Sequence, residues 1–170
     1  MSRREDLVRD VLFAADGSIV GRIRIQKVFY LLNQLGLGGD FRFSYHHYGP
    51  YSEDLSQAID RARYLDQTIR EIEKDTTGGR ANYSIFELVR NAGEAPARVG
   101  ALTLEDACDL IATMKSASSV VIELAATIHW LREKEKRADW RAELKRRKPS
   151  KADDATIDKA LALLEQLNLD

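Results

Sequence analysis

Three histidines, one cysteine and a glycine cluster are the places where this 170-residue chain could do chemistry. His46 and His47 are adjacent, so on an extended segment they point to opposite faces and one metal cannot use both. His129 is remote, on a helical stretch, and no further Cys, His or carboxylate stands at ligand spacing. The expectation is no metal, with imidazoles that hydrogen-bond backbone. Cys108 lies between Asp106 and Asp109 on an apolar helical stripe. Nearby carboxylates raise a thiol pKa, so a core cysteine is expected rather than a nucleophile. Gly36-Leu37-Gly38-Gly39 has no strand before it and no suitable helix after it, which argues against a phosphate loop. No Ser-His-Asp arrangement can be assigned. The sequence therefore points to no catalytic residue, no cofactor and no enzyme.

Recognition is the chemistry left, and it centres on Phe41 to Leu55, FRFSYHHYGPYSEDL. Alternation puts Phe41, Phe43, Tyr45 and His47 on one side of a strand and Arg42, Ser44, His46 and Tyr48 on the other. Gly49 and Pro50 read as a sharp corner. Ser52 is a good N-cap, with Glu53 and Asp54 at the positive end of the helix that follows. Core packing explains most of these aromatics better than base stacking does. Tyr48 and Tyr51 flank the rigid corner and are the candidate binding anchors, with Trp130 and Trp140 as second choices.

The elements that must position this stretch follow from periodicity. Glu5 to Ala15 reads as an amphipathic helix ended by Asp16-Gly17-Ser18. After Gly21 comes a stronger helix, apolar on more than one face, stopped by Gly36, Gly38 and Gly39. Inside it, Gln26 and Lys27 interrupt the apolar run. The expectation is that Gln26 hydrogen-bonds the Gly-Pro corner, because a buried amide needs partners and a sharp turn leaves backbone groups free. A helix from about Ser52 to Leu65 precedes a hairpin, Thr68–Asp75 and Arg80–Leu88 around Thr76-Thr77-Gly78-Gly79. Asn91 to Gly100 is a loop. Thr103 caps a helix with Leu104, Ala107, Cys108, Ile111 and Met114 along one stripe. Val120 to Leu131 marks another, and Ile157 to Leu167 a last one, beyond Pro149-Ser150.

The fold class read from this order is α+β, mostly α. Residues 1–100 form a winged-helix-like core of helices, a short strand and a β-hairpin. Residues 101–170 form a C-terminal helical extension that packs on it or makes a homodimer face. Apolar residues make up 44% and charged residues 31%, a globular balance. Net charge is −1, so the whole is no magnet for nucleic acid or membrane. The single cysteine fits a reducing compartment. The charged start lacks an apolar signal segment, and no run reaches the twenty or so apolar residues of a membrane helix, so a soluble, cytoplasmic protein is expected.

Two segments resemble a known family. Ile25-Gln26-Lys27-Val28-Phe29-Tyr30-Leu31-Leu32 is similar to the LQK-hydrophobic-Tyr helix of Panacea-domain proteins, the SocA-like antitoxin group. Tyr48-Gly49-Pro50 is similar to that group's Gly-Pro corner. The fuller string Tyr45-His46-His47-Tyr48-Gly49-Pro50-Tyr51-Ser52, with Leu55 after it, is closer to the YwgA-like branch of small bacterial proteins. The resemblance covers roughly Val20 to Val89. It departs at Tyr51, where many Panacea members have a small aliphatic residue, and at Phe86, where a winged-helix strand would have threonine. The resemblance makes Gln26, Lys27, Tyr30 and Ser52 motif residues and implies an antitoxin or a proteolysis adaptor, with a toxin or defence effector as partner. It carries no catalytic residues.

The first reading is therefore a non-enzymatic protein-binding module, antitoxin-like or adaptor-like, that contacts its partner through Tyr48, Gly49, Pro50 and Tyr51. The alternative is a winged-helix DNA-binding regulator with the helix after Ser52 in the major groove. Glu53, Asp54 and Asp60 on that helix would repel phosphates. Lys145, Arg146, Arg147 and Lys148 are the candidate nucleic-acid contacts, although their spacing from Glu143 suits salt pairs on a solvated face better.

Overall fold

Apolar residues at helical spacing put Leu7, Val8, Val11 and Leu12 on the buried face of α1 (Arg4–Ala14). The computed structural model describes residues 3–76, 78–79 and 81–170. Ser18–Val20 then forms strand β1. The helix ends before Asp16-Gly17-Ser18 as expected, but the strand after it is unexpected. Three residues show too little alternation to read as a strand, and Ile19 becomes one by lying opposite Phe86. The next helix, α2 (Arg22–Gln34), buries eight consecutive residues, Ile25 to Leu32. A helix buried on all sides is a core helix.

The chain returns extended through Phe41, and β2 (Ser44–His46) pairs antiparallel with β3 (Gly49–Tyr51), His46 opposite Gly49. This corrects the expected single strand with its corner at Gly49-Pro50. The reversal falls on His47-Tyr48, and Gly49 and Pro50 begin the returning strand. Gly49 carries the positive φ, +96°, that such a tight reversal needs. Ser52 caps α3 (Glu53–Tyr64), its Oγ accepting the Leu55 N–H at 3.1 Å.

The expected hairpin is present as β4 (Ile69–Asp75) and β5 (Asn82–Leu88), with Ile69 opposite Leu88. Thr77 and Arg80 of its turn lie outside the described residues. β5 also pairs with β1, so the sheet order is β1-β5-β4, all antiparallel. A two-residue ladder, β6 (Arg98–Val99) with β7 (Leu102–Thr103), leads into α4 (Leu104–Lys115), capped by Thr103. Next come α5 (Ser119–His129), a turn of π-helix over Trp130–Lys134, α6 (Trp140–Arg147) and α7 (Asp154–Gln166).

The protein is α+β, mostly α. α5 is buried from Val121 to His129 and lies against α2, β3 and α7, while α4 packs on α1. The C-terminal helices thus complete one hydrophobic core with the N-terminal elements. Leu31, Leu32, Leu124 and Ile128 are fully buried in it, each contributing about 1.5–3 kcal/mol by its burial. No single helix among the described residues is long and apolar enough to cross a membrane.

Candidate functional site

Gln26 and Lys27 are both buried, and from neighbouring positions on α2 they hold the β2–β3 hairpin and the start of α3. The Gln26 amide donates from Nε2 to the Ser52 carbonyl at 3.0 Å and accepts the Ser52 N–H on Oε1 at 2.8 Å. Both backbone groups of one buried residue are thereby satisfied. The bonds land on Ser52, two residues past Pro50. Nε2 also lies 3.3 Å from Ser56 Oγ, which shares a 2.7 Å hydrogen bond with the Tyr51 hydroxyl. Beside these groups is a half-open cavity of about 240 Å³ with Ile25, Ile59 and Phe86 in its wall. At its far end Glu71 accepts from Arg22 at 2.6 Å, Arg63 at 2.9 Å and Ser84 at 2.5 Å. Burial pushes the Glu71 carboxyl up, but the hydrogen bonds from Ser84 and Arg22 outweigh it and hold the group below the usual carboxylate range.

Lys27 works differently. Its side chain is almost fully buried, and Nζ donates to the Pro50 carbonyl at 2.6 Å. Burial lowers its pKa to about 8, with Glu123 acting against that shift and Lys148 and Lys151 adding to it. Glu123, on α5 and 2% exposed, takes Lys148 at 3.0 Å and Lys151 at 3.1 Å. One turn on, Thr127 donates its hydroxyl to the Glu123 carbonyl at 2.8 Å. A Cβ on Gly49 would come within 2.6 Å of Thr127 Oγ1 and 3.8 Å of Lys27 Nζ. The returning strand is therefore pressed between α2 and α5 where only glycine fits.

Of the four candidate partner contacts, Tyr48 alone projects, at 46% exposure; Gly49 and Pro50 are buried and Tyr51 is half-buried against Ser56. Gly49 and Pro50 thus aim Tyr48 and do not themselves present a surface. The Tyr48 ring meets His47 edge-on at 4.8 Å and carries Lys151 Nζ 5.0 Å from its centre. Tyr45 lies under the Arg147 guanidinium at 4.6 Å, near Trp130. Tyr30 shares a 2.7 Å hydrogen bond with His129 Nδ1. Burial lowers His129 to about 4 and raises Tyr30, so the pair is neutral at pH 7. Trp140 is flanked by Arg132 and Arg141, each 5.9 Å from the ring.

The four candidate nucleic-acid contacts all bind acids of this chain. Lys145 meets Asp154 at 2.7 Å, Arg146 meets Glu143, and Arg147 bridges Glu135 at 2.8 Å and Glu143 at 3.0 Å. Lys148 is buried on Glu123, so it is corrected from a surface contact to an internal one. Arg147 above all holds Glu135 down to about 2. Sequence reasoning passed over Glu123. Its signal is a single carboxylate inside the apolar run Val120-Val121-Ile122-Glu123-Leu124, which needs a buried cation. No comparable signal marks Lys148 and Lys151, which look like solvated members of a basic run.

Against known proteins, no family model matches the chain. It is 31% identical over 119 residues to a Bacillus subtilis (strain 168) protein named Uncharacterized protein YwgA, covering 69% of this chain and 68% of that one. The chain belongs to the YwgA family. In this member of that family, Gln26, Lys27 and the string from Tyr45 to Ser52 meet in one joint, with Glu123 of α5 behind it.

Proposed function

We propose that this protein is a non-enzymatic protein-binding module, antitoxin-like or adaptor-like, whose contact surface centres on Tyr48. The observation behind this reading is that a large aromatic side chain stands exposed on a hairpin whose returning strand is held by Lys27 on Pro50 and by the close approach of Gly49 to Thr127. A rigid amphipathic anchor loses little entropy on binding. The antitoxin-like role comes from the Panacea-like helix and Gly-Pro string, and the partner is then a toxin or effector. A photo-crosslinking residue at position 48 in the native host should trap a specific protein. Tyr48→Ala should then weaken that complex by about 2 kcal/mol, some thirtyfold, without altering the melt of the free protein. A trapped partner whose affinity is unchanged in Tyr48→Ala would end the assignment to this residue.

One observation favours a second reading, a winged-helix DNA-binding regulator. The order α1, β1, α2, α3, β4, β5, with the β2–β3 hairpin inserted between α2 and α3, and the sheet order β1-β5-β4 support this reading. α3 would then be the recognition helix and the β4–β5 hairpin the wing. Glu53 and Asp60 are exposed on that helix, and Glu73 and Asp75 on the wing strand. Exposed Arg61 on the same helix and Arg70 and Lys74 on the wing strand offset part of this repulsion, which leaves the recognition helix net acidic. Duplex binding at physiological salt, with affinity falling steeply as salt rises, would put this reading first.

A further inference from the structure

The charges behind Tyr48 do not balance. Lys27, Lys148 and Lys151 gather around one carboxylate, Glu123. Lys27 is 1%, Lys148 6% and Glu123 2% exposed, so water screens this group poorly. The neighbouring acids offer no relief. Glu135 and Glu143 are taken up by Arg137, Arg146 and Arg147, and His129 is neutral. The surplus positive charge reaches solvent where the Lys151 side chain, 33% exposed, meets the half-exposed Tyr48 ring. Lys151 Nζ spends donors on both Glu123 oxygens, at 3.1 Å each, and has a third N–H in hand.

We propose that this patch docks an acidic segment of a partner protein, with an Asp or Glu carboxylate at Lys151 and an apolar side chain against Tyr48. The proposal rests on the protein-binding reading and names the chemistry of the partner. A localised surplus fits a peptide carboxylate better than a nucleic acid, which needs a track of cations along its phosphates. The cations of the C-terminal basic run, Lys145, Arg146 and Arg147, are already engaged by acids of this chain.

The test uses the full chain and fluorescein-labelled decapeptides rich in Glu with a central Leu, matched peptides with Gln or Lys in place of Glu, and a random single-stranded DNA oligomer. The Glu peptide should bind at least about tenfold more tightly than the Gln peptide at low salt, and the Lys peptide should not bind. Lys151→Glu should abolish that preference. Lys151 also supports Glu123, so Lys151→Gln and Tyr48→Ala, each checked for an unchanged melt, form a second pair that should weaken the Glu peptide several-fold. Equal binding of Glu and Gln peptides, indifference to all three variants, or tighter binding of the DNA oligomer would overturn the proposal. The crosslink at position 48 separates the two levels. A trapped protein whose contacting segment is neutral or basic defeats the acidic-segment inference alone, whereas no trapped protein defeats the protein-binding reading as well.

Discussion

Gln26 and Lys27 hold two ends of one joint by opposite means. On the Gln26 side a neutral amide meets both backbone groups of Ser52, and the hydroxyls of Tyr51 and Ser56 complete the set. On the Lys27 side an ammonium is buried for one backbone carbonyl, with Glu123 shared among three lysines. A satisfied buried amide costs little. A buried charge costs several kcal/mol and is repaid only by well-placed partners. The lysine side is therefore the expensive one for a task an amide could do. The buried charge lies next to the exposed Tyr48, the place where the proposed acidic segment would dock.

Removing the shared carboxylate should break this contrast most severely. Glu123→Gln leaves Lys27 and Lys148 buried without an anion and should cost about 3–5 kcal/mol in a urea melt. A loss below about 1 kcal/mol would mean that the lysines reach water on their own.

The pH dependence of stability should come next. Burial lowers the folded pKa of Lys27 from 10.5 to about 8. Between those values the unfolded chain keeps the proton and the folded chain releases it, so stability rises with pH across the window, by up to about 3 kcal/mol. Lys115 and Lys148 are lowered by burial too and act in the same direction, while Tyr30 and Tyr45 are raised and act oppositely near and above 10. The clean reading is the difference between the wild type and Lys27→Met. Wild-type stability minus that of the variant should fall from pH 10 to pH 7, with the variant the flatter of the two. Parallel stability curves would show that Lys27 keeps an ordinary pKa.

Gly49→Ala should cost about 2 kcal/mol, because an L-residue is strained at a φ of +96° and its Cβ meets Thr127 Oγ1. Adding Thr127→Ala should return the part due to the clash and leave the part due to φ. Full recovery would assign the whole effect to the contact.

On the amide side, Gln26→Leu should cost about 1–2 kcal/mol, since the Ser52 N–H and carbonyl lose their partner where water is scarce. A melt indistinguishable from wild type would erase the contrast between the two neighbours.

Much of this fold was legible along the chain. The 3.6-residue apolar rhythm marks α1, α2, α4, α5 and α7, and Ser52 and Thr103 are caps that act over three residues. The β4–β5 hairpin showed in its strand-formers and its glycines. Burial of Gln26 followed from the apolar residues around it. These features are local, and a local interaction is written in consecutive residues. The rest was decided by distant partners. Ser18–Val20 is a strand because β5, more than sixty residues later, lies beside it. The reversal lies at His47-Tyr48 and not at Gly49-Pro50 because His46 pairs with Gly49, a register that no local signal in the sequence fixes. Lys148 and Lys151 read as solvated cations until the fold carries them to Glu123, 25 and 28 residues away, respectively. Composition and spacing set which residues must be buried. Which charges meet in the interior depends on how the helices pack, and a buried ion pair leaves no periodic trace in sequence.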